Sequence, residues 1–265
     1  MWRVEGIDGL ELKHAEFSTF RFGRHLHASH VISLPSPSIH FKVSGQYYQM
    51  ESDQIILLNP GEVHEMGSPH HFSWSFRCFY LDSTLMRAVA DSCSPAVPLP
   101  RFSRSIVRDS HIRQVLLYLH QRLDRNRFDS NLKRDFLNQM RPLIKTHCVG
   151  EVDKTGHAVE KPASCLDQVR IFLEDHYSEN ICLEKLSDIA GISPFHLLRC
   201  FKEKFGLPPN EFQNAIRIQR ARSFLNRGDA IIDVAMKTGF SDQSHLTRVY
   251  KKYIGLTPGQ YRNSN

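Results

Sequence analysis

Part of this chain is written twice. His196-Leu197-Leu198-Arg199-Cys200-Phe201-Lys202 aligns, 49 positions later, with His245-Leu246-Thr247-Arg248-Val249-Tyr250-Lys251. The register continues through Gly206 and Gly255, Leu207 and Leu256, Pro209 and Pro258, and Phe212 and Tyr261. Upstream the offset is 48, pairing Leu183 with Ile231, Leu186 with Val234, Ser187 with Ala235, Gly191 with Gly239 and Ser193 with Ser241. A duplicated pattern this long demands one supersecondary unit used twice.

The unit reads as helix, glycine turn and capped helix. Gly191 and Gly239 can take the positive φ of a tight turn. Four residues earlier, Ser187 and Ala235 are small enough for two crossing helices to approach closely. Two residues after each glycine, Ser193 and Ser241 are expected to cap the second helix. That order is a helix-turn-helix, expected over about 183–204 and 231–254. The one extra residue of the second copy is expected just inside its recognition helix. Each second helix should bury one stripe, Leu197 and Phe201 or Leu246 and Tyr250. The opposite faces carry Phe195, His196, Arg199 and Lys202, and Ser244, His245, Arg248 and Lys251. Either copy alone could be a packing hairpin with a solvated basic face. Two copies in register favour DNA binding, and the connector supports it: the eighteen residues from Pro209 to Asn226 read as one helix, about 27 Å long, against a major-groove repeat of about 34 Å. Such a rod can hold two recognition helices in adjacent grooves.

Charge agrees with selective reading. Residues 165–265 hold fourteen Lys+Arg and eleven Asp+Glu, a net of +3, so the remaining +3 of the chain's +6 lies earlier. Between 237 and 265, Lys237, Arg248, Lys251, Lys252 and Arg262 are opposed only by Asp242. That suits a few phosphate contacts with base reading, not charge-dominated binding.

The first half follows another period. Apolar runs at 30–34, 39–43, 54–58 and 72–81 are broken by turn residues such as Pro35 and Asn59-Pro60-Gly61, which predicts short strands of a sandwich or barrel. From His111 the spacing turns helical. Ile112, Val115, Leu116, Leu119 and Leu123 form one stripe, and Leu132, Phe136, Leu137, Met140, Ile144 and His147 a second. From Cys148 to Ala163 large apolar residues are few, so a linker is expected at 149–163 between domains of 1–148 and 164–265. No run of about 18 apolar residues suits a membrane span. The acidic start (Glu5, Asp8) is unlike a secretory signal. Six cysteines without a CxxC pair fit reduced thiols in the cytoplasm.

Residues 234–262 (VAMKTGFSDQSHLTRVYKKYIGLTPGQYR) resemble the C-terminal signature of the AraC/XylS bacterial transcription regulators, and 191–212 (GISPFHLLRCFKEKFGLPPNEF) with Arg217 and Ala221 resemble its first half. The resemblance implies a seven-helix domain whose two helix-turn-helix units bind consecutive major grooves of double-stranded DNA. It puts base reading on Phe195, Leu198 and Arg199, and on Ser244, His245 and Arg248. His196 shares the first face, and Lys202, Lys251 and Lys252 suit phosphates. Leu198 departs from the polar residue often found there. A fainter resemblance over 15–100, through Arg24-His25-Leu26-His27 and residues 55–64, is to the family's cupin-like effector domain. It implies an α+β chain with an N-terminal cupin-like β-barrel and flanking helices ahead of an all-α domain. A small-molecule effector would then bind the barrel; His27, His64, Met66, Trp74 and Arg77 are the candidate lining. The helices at 111–123 and 131–147 resemble the family's dimerisation region, their apolar stripes either meeting a partner or packing on the barrel. The implied protein is a cytoplasmic homodimeric activator that meets RNA polymerase and needs no cofactor.

Two other classes compete. His25, His27 and His64 could gather round a metal, since His at i and i+2 on a strand share a face. The metallo-cupin pattern also wants a Glu shortly after the HxH pair, and residues 28–33 hold none. No metal and no catalytic residue are therefore assigned, and a metal-dependent cupin enzyme fused to a helical module ranks second. An interaction-only coregulator is the third reading. Phosphate-binding glycine loops, GxSxG elbows and kinase motifs are absent from the sequence.

Overall fold

A computed structural model describes residues 1–17, 21–43, 45–68, 73–93, 100–125, 131–149 and 164–263. The N-terminal half opens with β1 (Trp2–Arg3), β2 (Leu10–Phe17), β3 (Arg21–His25), β4 (His30–Pro35), β5 (His40–Val43) and β6 (Gln46–Gln49). It continues with β7 (Gln54–Leu58), β8 (His64–Gly67), β9 (Trp74–Leu81), α1 (Ser83–Asp91), β10 (Arg101–Phe102) and β11 (Ile106–Arg108). The helices α2 (Ser110–Arg125) and α3 (Leu132–His147) and the short β12 (Cys148–Val149) close it. The barrel expectation takes the form of two facing antiparallel sheets, ordered β1-β2-β9-β4-β7-β11 and β3-β8-β5-β6.

Strand alternation divides the apolar side chains between two cores. On β9, Trp74, Phe76, Cys78 and Tyr80 join Phe22, Phe41 and Met66 between the sheets. Phe79 and Leu81 point the other way, into a layer shared with α1, α2 and α3. Ile112, Leu116, Leu119, Leu123, Leu132, Phe136 and Met140 all lie in that layer. The apolar stripes of α2 and α3 thus pack on the chain's own sheet. Of the expected linker, residues 150–163 lie outside the described residues. Cys148 and Val149 at its edge pair with Phe102 and Arg101 as β12 and β10.

The C-terminal half contains seven helices among the described residues: α4 (Cys165–Asp175), α5 (Leu183–Ala190), α6 (Pro194–Phe205), α7 (Pro209–Asn226), α8 (Ile231–Lys237), α9 (Gln243–Ile254) and α10 (Pro258–Asn263). The long α7 is buried on several sides, through Phe212, Ala215, Ile218, Ala221 and Leu225, so the other helices pack around it. Arg217 bridges α7 to the turn after α4, donating to the carbonyls of Tyr177 at 2.7 Å and Glu179 at 2.8 Å. Gly239, at φ +77°, approaches the same turn so closely that an added Cβ would lie 2.1 Å from the Ser178 carbonyl oxygen. Only glycine fits there. Among the described residues no helix is long and apolar enough to cross a membrane.

Candidate functional site

Local capping sets the direction of both recognition helices. Ser193 caps α6, its hydroxyl accepting from the His196 amide at 3.4 Å. The expected equivalent, Ser241, does not cap α9. Asp242 does, accepting from the His245 amide at 2.7 Å. A carboxylate is the stronger acceptor for an orphan helix amide and also complements the helix dipole. The extra residue of the second copy therefore sits in the turn, between Gly239 and Asp242, and not inside the recognition helix. Ser241 takes a supporting role, donating to Asp242 at 2.9 Å and lying 3.1 Å from His245 Nδ1. Hydrogen bonds from the His245 amide and Ser241 hydroxyl hold the Asp242 carboxyl below its ordinary range.

Once capped, each helix buries the expected stripe and exposes the rest. Leu197, Phe201, Leu246 and Tyr250 are fully buried, while Phe195 is 79% exposed. Leu198, Arg199, Lys202, Ser244, Arg248, Lys251 and Lys252 are exposed, and His196 lies on the same outer face as Arg199, its ring 3.3 Å from that guanidinium. His245 is half-buried, edge-on to Phe240 with centroids 5.2 Å apart. A concave surface of about 750 Å³ runs beside α9, lined by Gln243, Ser244, Thr247, Arg248, Lys251 and Lys252. Lys252 reaches toward Glu211, 3.9 Å away. Beside α6 the opening is shared: a cleft of about 640 Å³ sets Arg199, Lys202 and Lys204 opposite Glu62 and Glu65 of the β half.

A second site lies where the halves meet. A cavity of about 30 Å³ is walled by His25, His27, His64, Met66, Cys78 and Tyr80 from the strands, and by Arg222, Tyr253 and Ile254 from the helices. Three of the five pocket residues expected from sequence, His27, His64 and Met66, line it. Trp74 sits deeper, in an aromatic stack 5.2 Å from Phe17 and 5.6 Å from Phe76. Arg77 is on the opposite face of β9, 3.2 Å from the His120 ring of α2. One position of strand parity separates it from the cavity.

The sequence reading missed the charged residues of this seam. Glu11 receives Arg222, the Asn226 amide at 2.9 Å and the Tyr261 hydroxyl at 3.2 Å. Burial pushes its carboxyl up, but Arg222 and the hydrogen bonds from Asn226 and Tyr261 together hold it below the usual carboxylate range. Lys13 is buried and donates to the Ile254 carbonyl at 3.0 Å. Desolvation drives its ammonium down to about 8. Gln219 donates to the Leu26 carbonyl at 3.0 Å, and Arg24 to the Gly206 carbonyl at 3.5 Å. Leu26 itself is buried in the helical core. A signal was present: Glu11, Lys13, Ala15 and Phe17 share the β2 face opposite Tyr80, Cys78, Phe76 and Trp74. Charged residues on an otherwise apolar strand face need buried partners.

Two family models match, a helix-turn-helix domain over residues 186–264 and an AraC-like ligand binding domain over 9–137. The uncharacterised HTH-type transcriptional regulator YbfI of Bacillus subtilis is 31% identical over 228 residues, covering 85% of this chain and 82% of that protein. The HTH-type transcriptional activator RhaS of Escherichia coli is 27% identical over 164 residues, 61% of this chain and 56% of RhaS. Apo ToxT from Vibrio cholerae shares the fold at TM-score 0.61 and 14% identity, over 98% of this chain and 99% of ToxT. A wild-type ToxT structure with an unsaturated fatty acid bound gives 0.59, at 14% identity, over 97% and 96%.

Proposed function

The chain belongs to the AraC family of DNA-binding transcription regulators, and from that premise we propose how it reads DNA and how it is controlled. The exposed outer faces of α6 and α9, each backed by a buried stripe and joined by α7, carry the reading. Arg199 and Arg248 contact guanine edges, Ser244 and His245 hydrogen-bond to neighbouring bases, and Phe195 and Leu198 pack against thymine methyls. His196, Lys202, Lys251 and Lys252 reach phosphates. Residues 164–265 thus form the reading domain and 1–148 the sensing and dimerising domain. The protein acts in the cytoplasm as a homodimer on paired sites and activates transcription through RNA polymerase.

Control runs through the seam. The closed cavity, about 30 Å³, accommodates an ion or a water and little more. A larger effector must therefore part the strands from Arg222, Tyr253 and Ile254, and so favours an arrangement in which the reading helices are held differently. ToxT has been described with an unsaturated fatty acid bound. For this chain we infer an effector with an apolar body and an anionic group that replaces the Ile254 carbonyl as the partner of Lys13. An effector shifts the equilibrium only by its differential affinity for the two arrangements.

The test is selection of a randomised duplex pool by the full chain, followed by salt titration. The expected outcome is a preferred site with two blocks about one helical turn apart, and a linear fall of log affinity with log salt. Lys251→Ala should lower the salt slope by about 0.9 and weaken all duplexes alike. Equal retention of every sequence would return the chain to the coregulator reading.

A further inference from the structure

Inside the β half, three imidazoles converge. His25 ends β3 and is the antiparallel partner of His64 at the start of β8. His27 follows two residues on. Ring centroids are 4.2 Å apart for His25 and His64, 4.9 Å for His25 and His27, and 5.1 Å for His27 and His64. One potential ligand nitrogen from each ring lies within 4.8 Å of the other two.

Their orientation is set from outside the cluster. His25 Nδ1 lies 2.7 Å from the Gly23 carbonyl and His64 Nδ1 lies 2.9 Å from the Glu62 carbonyl. A carbonyl only accepts, so each Nδ1 carries the proton and each Nε2 keeps its lone pair. Backbone carbonyls commonly orient metal-binding imidazoles in this way. His27 Nδ1 is buried without a hydrogen-bond partner, and such an atom calls for an explanation.

We propose that His25, His27 and His64 bind one divalent transition-metal ion of the zinc class, with a fourth coordination position open to the cavity. Three imidazoles suffice for zinc, so the glutamate missing after the HxH pair is not required. Nitrogens bound at 2.0–2.1 Å in tetrahedral geometry stand about 3.3 Å apart. The candidate nitrogens lie within 4.8 Å of one another, so metal binding would draw them together by at most about 1.5 Å. Among the described residues no carboxylate lines the cavity, which disfavours calcium and magnesium. Lys13 and Arg222 also line it. Glu11 offsets Arg222, but the Lys13 ammonium opposes a bare cation and favours an anion at the open position.

This inference shares a cavity with the effector reading but not its test, because metal binding is measured without DNA. Full-length protein stripped with chelator is titrated with Zn²⁺ calorimetrically, with metal content checked by elemental analysis. One zinc per chain is expected, and Co²⁺ substitution should give the visible bands of a four-coordinate ion. His27→Gln and His64→Gln should each weaken zinc binding at least about 100-fold, while His40→Gln should not. If those variants fail to fold, X-ray absorption on zinc-loaded wild type decides: three imidazole nitrogens at about 2.0 Å support the site, and sulfur at about 2.3 Å assigns the metal to a cysteine. Absence of stoichiometric zinc, or unchanged affinity in His27→Gln, would overturn the proposal.

Discussion

The two helix-turn-helix units share a scaffold and differ in what they present. Their recognition helices are both twelve residues long. Both end on left-handed glycines, Gly206 at φ +79° and Gly255 at φ +83°. Their buried aromatics, Phe201 and Tyr250, occupy equivalent positions. The outer faces share His196 and His245, Arg199 and Arg248, and Lys202 and Lys251, and differ where Phe195 faces Ser244 and Leu198 faces Thr247 in the alignment. The first presents Phe195 and Leu198, which have no hydrogen bonds to offer a base, and shares its cleft with Glu62 and Glu65. The second presents Ser244, His245 and Arg248 on a surface lined by its own helix. The two copies keep one buried stripe and one basic outer triad, and vary in the cap residue, in one core aromatic and at two outer positions. In the proposed reading each unit keeps one arginine for guanine, and Ser244 gives the second a hydrogen-bonding side chain where the first has Phe195.

The strongest way to break this equivalence is through the cores. Phe201→Ala and Tyr250→Ala should each cost about 3–5 kcal/mol, with matching shifts in urea midpoint. Tolerance of one and not the other would mean that the scaffolds are not equivalent. The divergence is sharpened next by base-reading variants. Arg248→Ala should lose about 1–3 kcal/mol at one base pair and relax preference there, whereas Leu198→Ala should weaken binding less and blur no single position to that degree. An unchanged preference after Arg248→Ala in randomised-site selection would remove the assignment. The smallest effect distinguishes the caps. Ser193→Ala should cost about 1 kcal/mol at any pH. The Asp242 carboxyl is held below its ordinary value, so its cap is complete above the unfolded carboxyl's pKa of about 3.9 and is lost as pH falls through the lower folded value. The gap in Tm between wild type and Asp242→Ala should therefore shrink below about pH 4, while the Ser193→Ala gap persists.

How much of this was legible in the chain depended on whether neighbours in sequence were neighbours in space. The helical half was readable because its repeat displays the buried stripe twice, and α7 has the expected bounds. The cap was misassigned because Ser241 and Asp242 are adjacent and both residue types cap well; only backbone geometry chooses between them. Arg77 was placed in the pocket because strand parity across 72–81 was not followed, although Phe76, Cys78 and Tyr80 mark the inward face. The stripes of α2 and α3 were apolar as read, but periodicity cannot say whether the surface opposite belongs to the same chain. Lys13 and Arg222 are not singled out by the sequence, and their burial follows from contacts between segments more than two hundred residues apart.

The β half holds each recognition helix by its tail. Lys13 reaches the Ile254 carbonyl at the end of α9, and Arg24 reaches the Gly206 carbonyl just past α6. The residues proposed to touch bases lie toward the far ends, across helices of about 18 Å. Each helix is thus a lever whose fulcrum belongs to the sensing half. A tilt of about 10° at the tail carries the tip through roughly 3 Å, the length of one hydrogen bond. A change too small to notice at the seam would be enough to lift a side chain off its base.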